Sequence, residues 1–186
     1  MHLITTATVA LLLPIIASAS PLSRRSECSE TSFKDFKWTV KSFDFHANYI
    51  FSTPAHQNSW GYSSFELSNP ADQSTVSCSA ASSQINDFFY GTIPYACNDT
   101  GRHGTTKFDF NRPTGELRAN QTWTCDLDQQ YPIFFTGYGA VNLTLSCDQT
   151  FYQNPNWTIG EIYSRRDVTC QKVDTEMKPY QMEAIA

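Results

Sequence analysis

Hydrophobic and polar residues alternate along much of the chain after residue 36. The alternation is clearest in Leu117–Cys125 and Val141–Cys147, where apolar residues share one parity and polar residues share the other. A β-strand points successive side chains to opposite faces, so each segment predicts a strand with one buried and one solvated face. Shorter segments with the same alternation are Ser63–Ser68, Thr75–Ala80, Lys107–Phe110 and Asp167–Val173.

Turn sequences and one change of phase complete this pattern. Trp38–Val40 begins an earlier strand, but the alternation breaks at Lys41 and Ser42, where a β-bulge is expected. Pro, Gly and Asn punctuate the runs, and no segment of the mature chain has helical periodicity. Short strands with regular turns predict an all-β fold, a small antiparallel β-barrel or sandwich. We predict one such domain over residues 26–173 and a disordered tail over 174–186.

The N-terminal residues predict export from the cell. Val9–Ile16 is apolar and Ala17–Ala19 consists of small residues, so residues 1–19 resemble a signal peptide cut after Ala19. The apolar run is short against the roughly 20 residues of a spanning helix, which disfavours a membrane anchor. The dibasic Arg24-Arg25 predicts a second cut after Arg25 and a propeptide over residues 20–25. The alternative is an exposed basic pair that stays uncut.

Composition narrows the class of protein further. The 186 residues are 40% hydrophobic and 14% aromatic, which suits a packed core and excludes a disordered chain. A net charge of −5 disfavours nucleic acid as a partner. An even number of cysteines after a signal peptide predicts disulfides and an extracellular location. These cysteines are Cys28, Cys78, Cys97, Cys125, Cys147 and Cys170.

The cysteine spacings leave the pairing open. No C-x-x-C pair occurs, which disfavours a zinc site and redox chemistry. Neighbour pairing is the simplest arrangement and gives Cys78–Cys97 and Cys147–Cys170, which leaves Cys28–Cys125. The alternative keeps Cys28 free for a bond to a second chain.

Four N-x-S/T sequences predict a glycoprotein. Asn120 and Asn142 stand on the polar parity of predicted strands, where an acceptor is expected to face solvent. The other two acceptors are Asn98 and Asn156. The agreement between sequons and strand parity supports both predictions.

The order of these features resembles the Alternaria major-allergen family, small β-barrel proteins secreted by fungi. The resemblance is carried by an early cysteine, an aromatic strand, a strand–turn–strand segment, an aromatic segment ending in a cysteine, and a last cysteine pair. These are Cys28, Phe36–Phe45, Ser64–Ala80, Phe88–Cys97, and Cys147 with Cys170. The strands KFDF and LRANQTWTC add to the resemblance.

The resemblance implies disulfides between Cys78 and Cys97 and between Cys147 and Cys170. It also implies a homodimer linked through a cysteine near the mature N-terminus, a position that Cys28 matches. Cys125 is an extra cysteine, and the long insertion before Cys170 is a second departure. The implied function is an allergen-like or effector-like protein that binds a small aromatic ligand or a host defence protein.

Candidate catalytic residues are few. His46, His56 and His103 form no metal-binding spacing, so no metal or cofactor is expected, and no G-x-S-x-G sequence is present. Arg102 and His103 lie in a glycine-flanked loop, and their side chains suit binding of a phosphate or a ring. The alternative interpretation is a solvated loop tip. Three carboxylates, Asp126, Asp128 and Glu161, suit calcium or glycoside chemistry, or polar turns.

Aromatic residues exceed what a small barrel needs inside. Most are expected in the core, and some in a pocket or on an exposed face. They are Tyr49, Trp60, Tyr62, Phe88, Phe89, Tyr90, Tyr131, Phe134, Phe135, Tyr138 and Tyr152. We therefore predict a secreted binding protein without catalytic activity. The alternatives are a small hydrolase using Asp126 or Glu161, and a structural cell-wall or surface protein marked by exposed aromatics without a pocket.

Overall fold

The computed structural model describes residues 21–84, 87–99, 104–125 and 132–186. These residues form one helix, α1 (Pro21–Phe33), and eleven strands. The first strands are β1 (Trp38–Thr53), β2 (His56–Asn69), β3 (Ser74–Ser82), β4 (Tyr95–Ala96) and β5 (Thr106–Asn111). The remainder are β6 (Glu116–Thr124), β7 (Phe134–Asn142), β8 (Cys147–Gln153), β9 (Ser164–Cys170), β10 (Val173–Met177) and β11 (Pro179–Ile185).

The strands build two antiparallel sheets. Sheet A has the order β3-β2-β1-β9-β8, with β10 also paired to β1, and sheet B has the order β11-β7-β6-β5-β4. Aromatic side chains from both sheets meet between them, for example Phe43 with Phe110 at 5.0 Å between ring centroids. The all-β prediction of an antiparallel barrel or sandwich is confirmed, and neither sheet closes on itself. We call the side of each sheet that faces the other sheet its inner face.

The predicted bulge lies in β1. The pairing register shifts between Val40 and Phe43, and Ser42 has a φ of 52°. The backbone N–H of Ser42 donates to Oδ1 of Asp174 at 2.6 Å. β1 pairs with β10 from Trp38 to Phe43, on both sides of the bulge, and with β9 from His46 onward. The bulge therefore lies just before the point where the neighbouring strand changes.

Alternating burial follows the predicted parity even where the strand assignment is wrong. Val141–Cys147 was expected to be one strand, but β7 ends at Asn142 and β8 begins at Cys147. Residues 143–146 cross from sheet B to sheet A, and Leu143 is buried on the way. Likewise, Asp167–Val173 divides into the end of β9 and the start of β10. The alternation of hydrophobic and polar residues shows which side of the chain faces the core, and it can occur in a segment that does not pair with another strand.

Helix α1 corrects the prediction of a chain without helices. Tertiary contacts hold its second half: Cys28 is bonded to Cys125, and Nε1 of Trp123 donates to Oγ of Ser32 at 3.0 Å. Most helical stability in proteins comes from such packing rather than from propensity, so a weak periodic pattern does not exclude a helix. The predicted processing point after Arg25 falls within α1. The predicted signal peptide lies outside the described residues.

The C-terminal residues also differ from the prediction. Instead of a disordered tail over 174–186, β10 covers one edge of β1 and β11 pairs with β7 along sheet B. Met177, at the end of β10, is fully buried. Both strands lie beside longer strands and expose polar side chains, so backbone pairing fixes them where their hydrophobic pattern is weak. The domain thus extends to Ile185 rather than ending at residue 173.

Three disulfides connect these elements. They join Cys28 to Cys125, Cys78 to Cys97 and Cys147 to Cys170. The first attaches α1 to the end of β6. Because Cys28 is bonded within the chain, it has no thiol left for the bond between two chains that the family resemblance implies.

Close packing at β7 gives one prediction of stability. A Cβ atom at Gly137 would lie 2.7 Å from the ring of Trp38 and 3.2 Å from the ring of Trp123, both at most 1% exposed. Gly137→Ala is therefore expected to lower the free energy of unfolding by about 1–3 kcal/mol, the usual cost of overpacking. Urea denaturation measures the change, and Ala140→Gly, on the opposite parity of β7, is the comparison. Equal stability of Gly137→Ala and the natural protein would contradict the packing described.

Candidate functional site

Several sequence candidates lie outside the described residues: Arg102, His103, Asp126, Asp128 and Tyr131. Of the three carboxylates, only Glu161 is placed. Its Oε2 accepts hydrogen bonds from Asn154 Nδ2 at 3.0 Å and from the N–H of Thr158 at 3.2 Å. Its backbone carbonyl accepts one from Nε1 of Trp157 at 3.0 Å. These contacts organise the loop between β8 and β9, which is a structural use of the Glu161 side chain.

The structure places the remaining chemistry-bearing groups apart. His46 stacks on Tyr62 with 5.1 Å between ring centroids, and His56 is exposed beside the β1–β2 turn. Among the described residues, no group of three or more His, Cys, Asp or Glu is arranged to hold a metal ion. Within the same ranges, no helix combines the length and hydropathy needed to cross a membrane.

The aromatic residues divide between core and surface, as the sequence pattern predicted. Phe88, Phe89 and Phe135 are at most 1% exposed and belong to the core. The exposed rings include Trp60, Tyr62, Phe134 and Tyr152, together with Phe151, which the sequence pattern did not single out. Every residue of β8 after Cys147 is exposed, so the strand has no buried parity that would reveal its aromatic side chains.

Three cross-strand neighbours form the centre of the candidate site. Phe151 of β8 pairs with Arg166 of β9, and Arg166 pairs with Tyr49 of β1. Side chains of directly paired residues lie on the same face of a sheet. Tyr49 is buried against Phe88, with 4.8 Å between ring centroids, whereas Phe151 is 74% exposed. The inner face of sheet A is therefore accessible at the edge formed by β8.

An open cleft adjoins these residues at the strand ends. Its volume is about 480 Å³, within the range of small-molecule sites. We call it the strand-end cleft; it is lined by Phe51, Phe151, Tyr152, Gln153, Ser164, Arg165 and Arg166. In the strand register, Phe51, Phe151 and Arg166 lie on the inner face, whereas Tyr152 and Arg165 pair on the outer face. Two rings and one guanidinium group therefore share the inner side of the cleft.

The two arginines differ in their partners. The Arg165 guanidinium bonds to Oδ2 of Asp167 at 2.8 Å, so its charge is balanced. The Arg166 guanidinium lies over the ring of Tyr49, 3.8 Å from the centroid, and forms no ion pair with any described residue. A cation stacked on an aromatic face keeps its hydrogen-bond donors at its edge. Arg166 therefore supplies the cleft with positive charge in a fixed orientation.

The insertion noted in the sequence connects two residues that line the cleft, Gln153 and Ser164. It is the loop of residues 154–163, and its two ends are joined by a bond from Asn154 N–H to the carbonyl of Tyr163 at 2.9 Å. The N–H of Tyr163 donates in turn to the carbonyl of Phe51 at 2.8 Å. Its tip exposes Ile159, and the sequon residue Asn156 is also exposed. The loop is thus attached to β1 at the cleft.

Two other cavities are less suited to binding a ligand. One, of about 70 Å³, lies on the outer face of sheet B, where burial raises the pKa of the Asp109 carboxyl and the Arg118 guanidinium opposes this rise. Arg118 itself bonds to Glu116 at 2.6 Å. The other, of about 410 Å³ beside Phe134, is lined by uncharged side chains only. The first is too small for a drug-sized molecule, and the second has no charged group to orient a ligand.

Comparison with known families supports the resemblance found in the sequence. A family model described as Alternaria alternata allergen 1 matches residues 40–170, well over half of the chain. The matched range runs from β1 to the last residue of β9 and includes the strand-end cleft. No curated protein and no solved structure gave a significant match. The chain therefore belongs to the Alternaria alternata allergen 1 family, and is an allergen-type fungal protein.

Proposed function

We propose that this protein is secreted, has no catalytic activity and binds a small aromatic ligand carrying an acidic group in the strand-end cleft. The observation that carries the proposal is the pairing of an exposed ring, Phe151, with an arginine that has no acidic partner among the described residues, Arg166. An aromatic ligand stacks on the ring, and its carboxylate or phenolate pairs with the guanidinium. The role proposed for this binding is host interaction of an effector-like kind.

The chemistry of the cleft favours this ligand class over a neutral apolar one. An aromatic pair contributes about 0.5–1.5 kcal/mol beyond its buried area. A hydrogen bond to a charged group contributes roughly 1.5–3 kcal/mol. Because Arg166 is held on Tyr49 before any ligand arrives, little of its side-chain entropy remains to be lost on binding. Preorganisation of this kind is what a binding site gains from a rigid scaffold.

The disulfides and sequons support secretion as part of the proposal. All cysteines in the described ranges are oxidised, as in proteins of oxidising compartments. Three of the sequon asparagines, Asn98, Asn142 and Asn156, are exposed, and Asn120 is half-buried on the outer face of sheet B. Glycans at the exposed positions would lie on solvated surfaces. Intact mass before and after deglycosylation measures their number and the first residue of the mature chain.

We expect Phe151→Ala to weaken binding of an aromatic acid about tenfold, since 1.4 kcal/mol corresponds to tenfold in affinity. The measurement is calorimetric titration with a panel of phenolic and benzoic acids and their neutral amides or ethers. Ile159→Ala removes an exposed apolar side chain outside the cleft lining and serves as the matched control. Unchanged affinity in Phe151→Ala, or a panel without any binder, would refute the proposed site.

Arg166→Gln separates recognition from support of the fold. It is expected to abolish the preference for acids over their neutral analogues while leaving affinity for the neutral compounds within about threefold, because only the charged contact is lost. A purely structural role for Arg166 would instead weaken both classes equally. Circular dichroism of the variant checks that the sheets remain folded.

A further inference from the structure

The outer face of sheet A exposes a group of rings that the strand-end cleft does not use. Trp60 and Tyr62 project from β2 on the side opposite the core, since their neighbours Gly61 and Ser63 are buried. Trp60 is 38% exposed and Tyr62 is 39% exposed. His46 of β1 stacks on Tyr62 at an interplanar angle of 24°. Two large rings and an imidazole therefore lie side by side on one solvated sheet face.

Hydrogen-bonding groups lie next to these rings in the same register. Asn48 of β1 pairs with Trp60 on one side and with Asp167 of β9 on the other, so the three side chains share the outer face. We call Trp60, Tyr62, His46, Asn48 and Asp167 the outer platform. Neighbouring strands are about 4.8 Å apart, so each ring has an amide or carboxylate within the width of one sugar residue.

Polar groups of the platform stay available beside the rings. The Asp167 side chain is 23% exposed although its Oδ2 bonds to Arg165 at 2.8 Å, and the amide of half-buried Asn48 makes no hydrogen bond with any described residue. Exposed aromatic faces beside an amide and a carboxylate suit a ligand that has apolar faces and hydroxyl groups at its edges. A sugar residue has this composition, with C–H groups on its ring face and hydroxyls at its rim.

The charges on the platform and the positions of the glycosylation sites narrow the class of ligand that the platform can bind. The carboxylate of Asp167 is balanced by Arg165, and His46 has Asp44 at 3.9 Å. The platform thus lacks the cationic excess needed for nucleic acid or anionic lipid. The predicted glycan acceptors all lie outside β1, β2 and β9.

We infer that the outer platform binds a neutral polysaccharide chain, with Trp60 and Tyr62 stacking on successive sugar rings and Asp167 accepting a hydroxyl hydrogen bond. The inference does not depend on the aromatic ligand proposed for the strand-end cleft. Neutral polysaccharides of this kind form the walls of fungi and of their hosts. Binding would hold the protein at a wall surface, and the cleft would remain open.

Retention on insoluble polysaccharide tests the inference. Purified full-length protein is mixed with chitin, β-1,3-glucan or cellulose, which separates fungal from plant sources, and the bound fraction gives the affinity. We expect at least one polysaccharide to retain the protein and Trp60→Ala to weaken retention at least fivefold. Tyr180→Ala, which removes a more exposed ring from β11 of sheet B, is expected to bind like the natural protein.

Three outcomes would overturn the inference. These are failure of all three polysaccharides to retain the protein, equal retention of Trp60→Ala, and loss of retention in 0.5 M salt, which would indicate ionic adsorption to an otherwise neutral face. Phe151→Ala distinguishes the two proposals, because this variant is expected to lose binding of the aromatic acid and to retain binding of the polysaccharide. Trp60→Phe keeps an aromatic ring and is expected to show partial retention, so it tests the platform even if Trp60→Ala fails to fold.

Discussion

Replacing both Cys28 and Cys125 by serine is expected to lower the free energy of unfolding by about 4–5 kcal/mol, the chain-entropy value for a loop of this length. The bond joins residues 97 positions apart and fixes α1 against the end of β6. Its loss also removes the Sγ of Cys125 that lies 3.6 Å from Oγ of Ser32, the hydroxyl that accepts a hydrogen bond from the buried Trp123. Docking of α1 is then left to local contacts, such as Phe33 against Phe135.

The matched comparison is replacement of Cys147 and Cys170, a pair separated by 23 positions. The same model gives this shorter loop a smaller contribution, roughly 3 kcal/mol, so the variant without it should unfold at a higher guanidinium concentration than the variant without Cys28–Cys125. Guanidinium denaturation of both variants measures the order. If removal of Cys147–Cys170 proved the more destabilising, loop length would not be what sets the contributions of these two disulfides.

The sequence pattern predicted the inner face of the fold better than its edges. In β6, burial alternates as the parity of Leu117–Cys125 requires, because a central strand must hide one face and solvate the other. In β8 and β11 almost every side chain is exposed, so no alternation marks them. Their positions are fixed by backbone pairing to β9 and β7, which side-chain patterns do not encode.

For the same reason, the sequence predicted the candidate sites only in part. The surplus of aromatic residues predicted a binding surface, but which rings are exposed depends on strand register. Phe151 meets Arg166 only because β8 pairs with β9 from Cys147–Cys170 onward. Trp60 meets Asp167 only across β1. Each site lies across three strands, one of which is distant in sequence from the other two, so no local motif indicates either site.

One polar residue is buried on the hydrophobic face of β6, and its replacement is the second change expected to have a large effect on stability. Gln121 is 3% exposed, and its Oε1 accepts hydrogen bonds from Trp38 Nε1 at 2.7 Å and from Asn69 Nδ2 at 2.9 Å. Its Nε2 donates to Oγ1 of Thr106 at 3.1 Å. One amide thus satisfies polar groups from β1, β2 and β5, and so connects the two sheets through the core. A buried network is favourable when every member is paired and costly when one is removed.

Gln121→Leu is expected to lower the free energy of unfolding by about 2–5 kcal/mol, because it leaves two buried donors unpaired at roughly 1–3 kcal/mol each. Urea denaturation followed by tryptophan fluorescence measures the loss. Thr106→Val provides the comparison, since it removes only the acceptor for Gln121 Nε2. In the double variant that donor is absent, so the combined loss should be smaller than the sum of the single losses. Strict additivity would mean that the Gln121–Thr106 contact contributes nothing, and a neutral Gln121→Leu would show that the network does not stabilise the contact between the sheets.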